Sequence, residues 1–147
     1  MKSNGIYRSP LFYVGDKYKL MGEIKTHFPR KIKTFVEPFV GGGSVFLNVE
    51  AQRYMLNDID PWVVGIHQYL CAQSEKKEEF FQDLFRLIDQ YGLSCSYRND
   101  VVPEILKKEF PKTYFAKYNK EAFVRLRADF NISDKRSMLY LYALLIY

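Results

Sequence analysis

The run Phe-Val-Glu-Pro-Phe-Val-Gly-Gly-Gly-Ser at residues 35–44 constrains this chain more than any other stretch. It reads as an apolar strand that ends in an acid, turns through three glycines and leads into a helix. Glycines at such a corner let backbone approach a ligand closely, because no Cβ intervenes and positive φ is accessible. Free amides at the start of the following helix then favour a carboxylate or a phosphate. A second apolar segment, Tyr-Met-Leu-Asn-Asp at residues 54–58, also ends in an acid. An acid after the second strand of a βαβ unit typically takes a ribose hydroxyl. Together the two segments point to a nucleotide-like cofactor.

Several such cofactors fit poorly. No Gly-Lys-Ser/Thr follows the turn, so it is not a phosphate-gripping P-loop. The dinucleotide fingerprint asks for a third glycine at position 46, where this chain has Phe46. Glu37, just before the turn, would repel a pyrophosphate but suits a positively charged amino group. A cofactor with an amino-acid end, a ribose and a base meets these conditions, and S-adenosylmethionine is that molecule.

The surrounding pattern predicts an α/β fold. Tyr-Val-Gly-Asp-Lys at residues 13–17 reads as a turn into a helix, with Asp16 as N-cap. Leu20, Met21, Ile24 and Phe28 follow at helical spacing until Pro29. Residues 34–39 read as a first, buried strand, 44–50 as a helix and 53–57 as a second strand. Pro61 suits the first turn of a further helix carrying Trp62, Val63, Ile66 and Leu70. This order opens a doubly wound α/β sheet. After Cys71 the pattern becomes helical: residues 74–91 are amphipathic around Phe80, Phe81, Leu84, Leu87 and Ile88, and 101–110, 121–130 and 137–147 also read as helices. The expected organisation is an α/β part over 1–73 and a helical subdomain over 74–147. The chain stops within the apolar run 138–147, and two parallel strands make a poor sheet. The expectation is a truncated chain.

Charge is unevenly placed. Residues 1–36 carry eight Lys or Arg against two acids, residues 37–73 one against four, and residues 74–147 thirteen against eleven. Acids thus gather at the glycine turn and bases flank it, a distribution that suits a polyanionic partner and equally a solvated basic surface. No window reaches the ~20 apolar residues of a membrane span, so no membrane partner is expected. Cys71 and Cys95 lack ligand spacing or a neighbouring His, which predicts two ordinary thiols, a reduced cytoplasmic protein and no metal. His67 stands without a partner at metal or catalytic spacing and is expected to be structural. His27 lies next to the end of the first helix, where a cation is mildly favoured, and neither is assigned any chemistry. Oligomeric state is left open.

The segments at 13–17 and 35–44, continued by Val45, Phe46, Leu47 and Asn48, and then Leu-Asn-Asp-Ile at 56–59, closely resemble the Dam-type (D12 class) adenine-N6-specific DNA methyltransferases. Phe-Val-Arg-Leu-Arg-Ala-Asp-Phe-Asn at 123–131 and Leu-Tyr-Leu at 139–141 resemble that family's helical target-recognition region. The resemblance implies an S-adenosylmethionine-dependent methyltransferase (Rossmann-like) core, incomplete here, with a helical DNA-recognition subdomain. It implies that Tyr13 and Lys17 line the cofactor pocket, the lysine able to pair with the cofactor carboxylate. Glu37, Phe39, Gly41 and Gly43 would form its floor, Asp58 would take the ribose hydroxyls and Ile59 would pack on adenine. Arg127, and secondarily Arg125, would hold a phosphate of duplex DNA. The two arginines lie two apart and so face different sides of a helix.

Members of this family methylate a flipped-out adenine through an Asp-Pro-Pro-Tyr segment whose acid and a backbone carbonyl accept from the exocyclic amine. That segment is absent from these 147 residues. Asp-Pro-Trp at 60–62 lacks the second proline and directly follows the acid expected to bind ribose. The expectation is therefore a fragment of a methyltransferase, of bacterial or phage origin, that does not catalyse alone. Two alternatives stay open: a non-catalytic remnant that binds S-adenosylmethionine or DNA, and an unrelated α/β nucleotide-binding module.

Overall fold

The computed structural model describes residues 5–95, 98, 100–132 and 137–146. The chain forms two compact units, Met1–Leu70 and Cys71–Tyr147. Among the described residues no helix is long and apolar enough to cross a membrane, and no group of His, Cys, Asp and Glu is arranged to hold a metal.

In the first unit the helical segment after Asp16 is broken. A 3-10 turn at Tyr18–Leu20 precedes the short helix α1 (Met21–Ile24), and a second 3-10 turn follows at Lys25–His27. Asp16 is not the N-cap its position predicts, since the 3-10 turn is capped at Lys17 and α1 at Leu20. Its carboxylate instead accepts from the Tyr18 amide at 3.0 Å in an Asx turn. Of the four spaced apolar residues, Met21 alone is fully buried. Strands β1 (Ile32–Glu37) and β2 (Ala51–Leu56) pair in parallel, with Phe35 opposite Tyr54 and Glu37 opposite Leu56. Both strands lie two residues earlier than the apolar pattern predicts at their starts. β1 stops before Pro38, which has no amide to donate to a ladder.

Two expectations for this unit need correction. Residues 44–50 do not form a helix; only Phe46–Asn48 make a 3-10 turn. Asn48 explains this: its buried side chain donates to the carbonyls of Ser44 (2.8 Å) and Tyr7 (2.7 Å) and accepts from the Tyr7 amide (2.6 Å). An Asn side chain that competes for backbone groups in this way ends a helix early, and β2 begins three residues later. The first strand is also not buried throughout, since Phe35 is buried but Val36 is 58% exposed. Among the described residues the sheet has just these two strands, so little covers its faces. The start of β2 is held by Tyr54, whose hydroxyl donates to the Val49 carbonyl (2.6 Å) and accepts from the Ala51 amide (2.9 Å). Helix α2 (Pro61–Ala72) follows, capped by Asp60, whose carboxylate accepts from the Trp62 amide at 2.9 Å. That contact occupies the acid of the Asp-Pro-Trp run in a structural role.

The second unit is helical: α3 (Lys77–Tyr91), α4 (Glu104–Glu109), α5 (Tyr114–Tyr118), α6 (Lys120–Ile132) and α7 (Met138–Ile146). Its core gathers Phe80, Leu84, Ile88 and Leu126, with Leu126 fully buried. Phe80 meets Tyr142 edge-on at 5.4 Å, and Tyr91 meets Tyr140 at 5.9 Å. Helix α5 falls in the interval between the helices that the sequence pattern predicts at 101–110 and 121–130. Just beyond it the buried Asn119 accepts from the Ser94 amide (2.8 Å) and donates to the Ser94 carbonyl (2.9 Å). The expected helix end at Tyr147 lies outside the described residues.

Candidate functional site

The carboxyl ends of β1 and β2 are tied together by backbone. Asn57 donates to the Glu37 carbonyl (2.9 Å) and Val40 to the Asn57 carbonyl (2.8 Å). The glycine turn hangs from this junction, at the strand end where open α/β sheets bind ligands. Asp58 reaches across to it: Oδ2 accepts from the Gly41 amide at 2.9 Å and Oδ1 from the Asp60 amide at 3.1 Å. These two amides hold the Asp58 carboxyl below the usual carboxylate range.

Glu37 is the electrostatic opposite. Half-buried at the end of β1, its Oε2 accepts from the Phe46 amide at 3.1 Å. Burial outweighs that hydrogen bond and pushes the carboxyl up to about 7. One cleft thus holds an acid that stays ionised and another that exchanges its proton near neutrality. Tyr13 lies against the turn, its phenol pushed up by burial and by the charges of Asp58 and Asp60.

The turn is built so that only glycine fits. Gly41 and Gly43 sit at φ of 46° and 85°. A Cβ on Gly43 would stand 2.4 Å from Phe46 and 2.9 Å from His67. One on Gly41 would press the Tyr13 ring at 3.1 Å. The amides of Gly42, Ser44 and Val45 have no acceptor among the described residues, which leaves donors for an anionic group.

The cleft so formed has a volume of about 400 Å³, within the range of small-ligand sites. Tyr13, Lys17, Glu37, Phe39, Gly41, Gly43 and Asp58 all line it. Ile59 does not: it is 94% exposed. Lys17 bends back to donate to the Gly15 carbonyl. The donor set matches an amino-acid end and a sugar: an acid for an ammonium, amides for a carboxylate and an ionised carboxylate for hydroxyls.

Three supports of this cleft escape the sequence pattern. The Ser9 hydroxyl donates to the Gly42 carbonyl and accepts from the Leu11 amide. Asp16, read as a cap alone, also accepts from the buried Ser44 hydroxyl. His67 hydrogen-bonds the Gly41 carbonyl through Nε2 at 2.8 Å and meets Phe46 edge-on at 5.3 Å. For His67 a signal exists, a polar ring on the stripe of α2 that carries the buried Val63 and Ile66. For Ser9 and Asp16 there is none.

The two arginines separate in the second unit. Arg125 donates through Nη2 to the Tyr91 carbonyl at 3.0 Å, satisfying an acceptor in the last turn of α3. Arg127 is exposed, with its guanidinium 5.8 Å over the Phe123 ring.

Comparison with known proteins places this arrangement among relatives. The family model described as D12 class N6 adenine-specific DNA methyltransferase matches residues 13–147, beginning at the cleft tyrosine. The chain is 31% identical over 145 residues to the DNA adenine methylase of Salmonella typhi, covering 97% of this chain and 41% of that protein. It is 32% identical over 133 residues to the modification methylase StsI of Streptococcus sanguinis, covering 90% of this chain and 17% of that protein. The DNA adenine methylase of Escherichia coli K12 matches at 39% over 85 residues, 58% of this chain and 29% of that protein. The chain thus spans less than half the length of these curated relatives.

Proposed function

This chain belongs to the D12 class N6 adenine-specific DNA methyltransferases, and on that premise we propose that its first unit is the S-adenosylmethionine-binding part of a DNA adenine methyltransferase. Bound there, the cofactor would supply an activated methyl group for the exocyclic amine of adenine in duplex DNA. The residues divide the work of holding it. Asp58, ionised and oriented by the Gly41 and Asp60 amides, takes the ribose hydroxyls. Glu37 faces the amino group, and the amides of the glycine turn, with Lys17, face the carboxylate. Tyr13 and Phe39 close the cleft as aromatic walls, and Ile59 offers an exposed apolar face for the adenine ring.

The observation that carries this reading is the convergence of two acids of opposite protonation behaviour on a glycine turn whose Cβ positions are blocked. Arg127 is the DNA phosphate contact in this reading, because its guanidinium is exposed while that of Arg125 serves the Tyr91 carbonyl. A flipped adenine needs an acceptor for its amine. The Asp-Pro-Pro-Tyr segment that provides one in the family is absent from these 147 residues. The chain by itself therefore binds cofactor without transferring methyl groups.

Calorimetric titration of the chain with S-adenosylmethionine tests the reading. Saturable one-to-one binding is expected, weakened about 10- to 100-fold in Asp58→Ala, as fits loss of a charged hydrogen-bond acceptor. Equal binding by wild type and variant would remove Asp58 from the site. Measurable methyl transfer to DNA by this chain would overturn the division of labour.

A further inference from the structure

His67 stands behind the glycine turn, bonded to its Gly41 carbonyl, and that hydrogen bond is informative. A carbonyl can only accept, so the Nε2 that lies 2.8 Å from the Gly41 oxygen carries the proton. The Gly41–Gly42 peptide is planar and trans, as no cis bond occurs among the described residues. Its carbonyl and its amide therefore point in opposite directions. Drawing the Gly41 oxygen onto His67 turns the Gly42 N–H away from the imidazole. That amide has no acceptor among the described residues, and Gly42 lines the cleft.

The neighbouring peptide is fixed independently, since the Gly41 amide donates to Asp58. Two consecutive peptide planes of the turn are thus held by two different side chains. The imidazole is itself fixed: Phe46 packs edge-on against it, and Gly43 leaves room for both rings. Phe46 stands where a dinucleotide binder would carry its third glycine. Here that position supports a histidine rather than a close helix–strand contact.

We propose that His67 is a positioning residue for the cofactor's carboxylate, acting through the Gly41–Gly42 peptide to present the Gly42 amide. The proposal rests on the reading of the cleft as an S-adenosylmethionine site. It assigns His67 to one end of the ligand alone: the amino-acid end gains from it, and the nucleoside end does not.

Two ligands and three variants test this by calorimetry, with thermal melting in parallel. S-adenosylmethionine carries the carboxylate; 5′-methylthioadenosine keeps the adenine and ribose but lacks the amino-acid end. His67→Phe keeps a ring without the donor and should weaken S-adenosylmethionine about tenfold, the scale of one lost hydrogen bond. Affinity for 5′-methylthioadenosine should stay within twofold. His67→Gln, which can place an N–H near the same point, should recover most of the loss. His67→Met is a second donorless variant with the same expected pattern should the phenylalanine not fold. Unchanged S-adenosylmethionine affinity in the donorless variants would overturn the proposal, as would equal losses for both ligands or no rescue by glutamine. Failure of wild type to bind either ligand would instead sink the cofactor reading itself.

Discussion

The two units of this chain are ordered by different kinds of atom. Around the cleft of the first, polar groups do the holding: Asp58 on the Gly41 and Asp60 amides, His67 on the Gly41 carbonyl, and Ser9 on the Gly42 carbonyl. Regular structure is sparse there, and the strands leave Val36, Tyr54 and Met55 exposed. In the second unit apolar side chains do the holding, with Leu126 fully buried among helices α3, α6 and α7 and rings meeting edge-on. A site made of backbone needs each peptide plane fixed singly, because one rotated amide removes one donor. A helical unit needs only volume filled, since its backbone groups already bond each other. The first region is expected to fail by losing ligand, the second by losing stability.

The sharpest break of that contrast is Leu126→Ala. Removing a fully buried leucine should cost about 2–5 kcal/mol, read as a lower denaturant midpoint. Cofactor affinity of the remaining folded protein should stay within twofold. A large loss of affinity at conditions where the variant is folded would merge the two regions into one energetic system.

A smaller effect concerns Glu37 and has a definite sign. Burial raises its folded-state carboxyl to about 7, above its ordinary 4.5. Its contribution to stability is therefore fully present below the ordinary value and is lost as pH rises through about 7. Cofactor binding should run the other way, because an ammonium ligand favours the ionised acid. Affinity for S-adenosylmethionine is expected to rise about twentyfold between pH 5.5 and 7.5. Binding at pH 6 should release close to one proton, measured from calorimetric enthalpies in buffers of different ionisation heat. Glu37→Gln should flatten both dependences; a flat wild-type profile would show that the amino group sits elsewhere.

The smallest effects separate the arginines. Arg127→Ala should weaken duplex DNA binding a few-fold and reduce the salt slope by about one. Arg125→Ala should leave that slope unchanged and cost ~1–2 kcal/mol of stability through the orphaned Tyr91 carbonyl. The reverse pattern would exchange their roles.

What the sequence made legible follows from what is local in it. An apolar run, an acid and three glycines in succession specify a strand, a turn and a close approach, and the structure brings Glu37, Gly41 and Gly43 to one cleft with Tyr13 and Asp58. The failures come from long-range polar contacts. The helix expected over residues 44–50 is lost because Asn48 bonds Tyr7, forty-one positions earlier. Ser9 and Asp16 reach the turn from the N-terminal segment with no periodicity to announce them. Helix α5 spans only Tyr114–Tyr118, too few residues for an apolar periodicity to mark it. There, the fixed point is Asn119, which bonds Ser94 with both amide atoms.

One contact in the first unit acts as a ruler. The Tyr54 hydroxyl spans the Val49 carbonyl and the Ala51 amide, and so fixes where β2 begins to count. Asp58 reaches the Gly41 amide because it lies a set number of residues beyond that mark. A slip of one residue would carry it ~3.3 Å along the strand and turn each side chain to the opposite face. The 2.9 Å contact with Gly41 would not survive such a step. The register that places Asp58 there is carried by the pairing of Phe35 with Tyr54 and Glu37 with Leu56. Tyr54 thus anchors both the start of β2 and its alignment with β1.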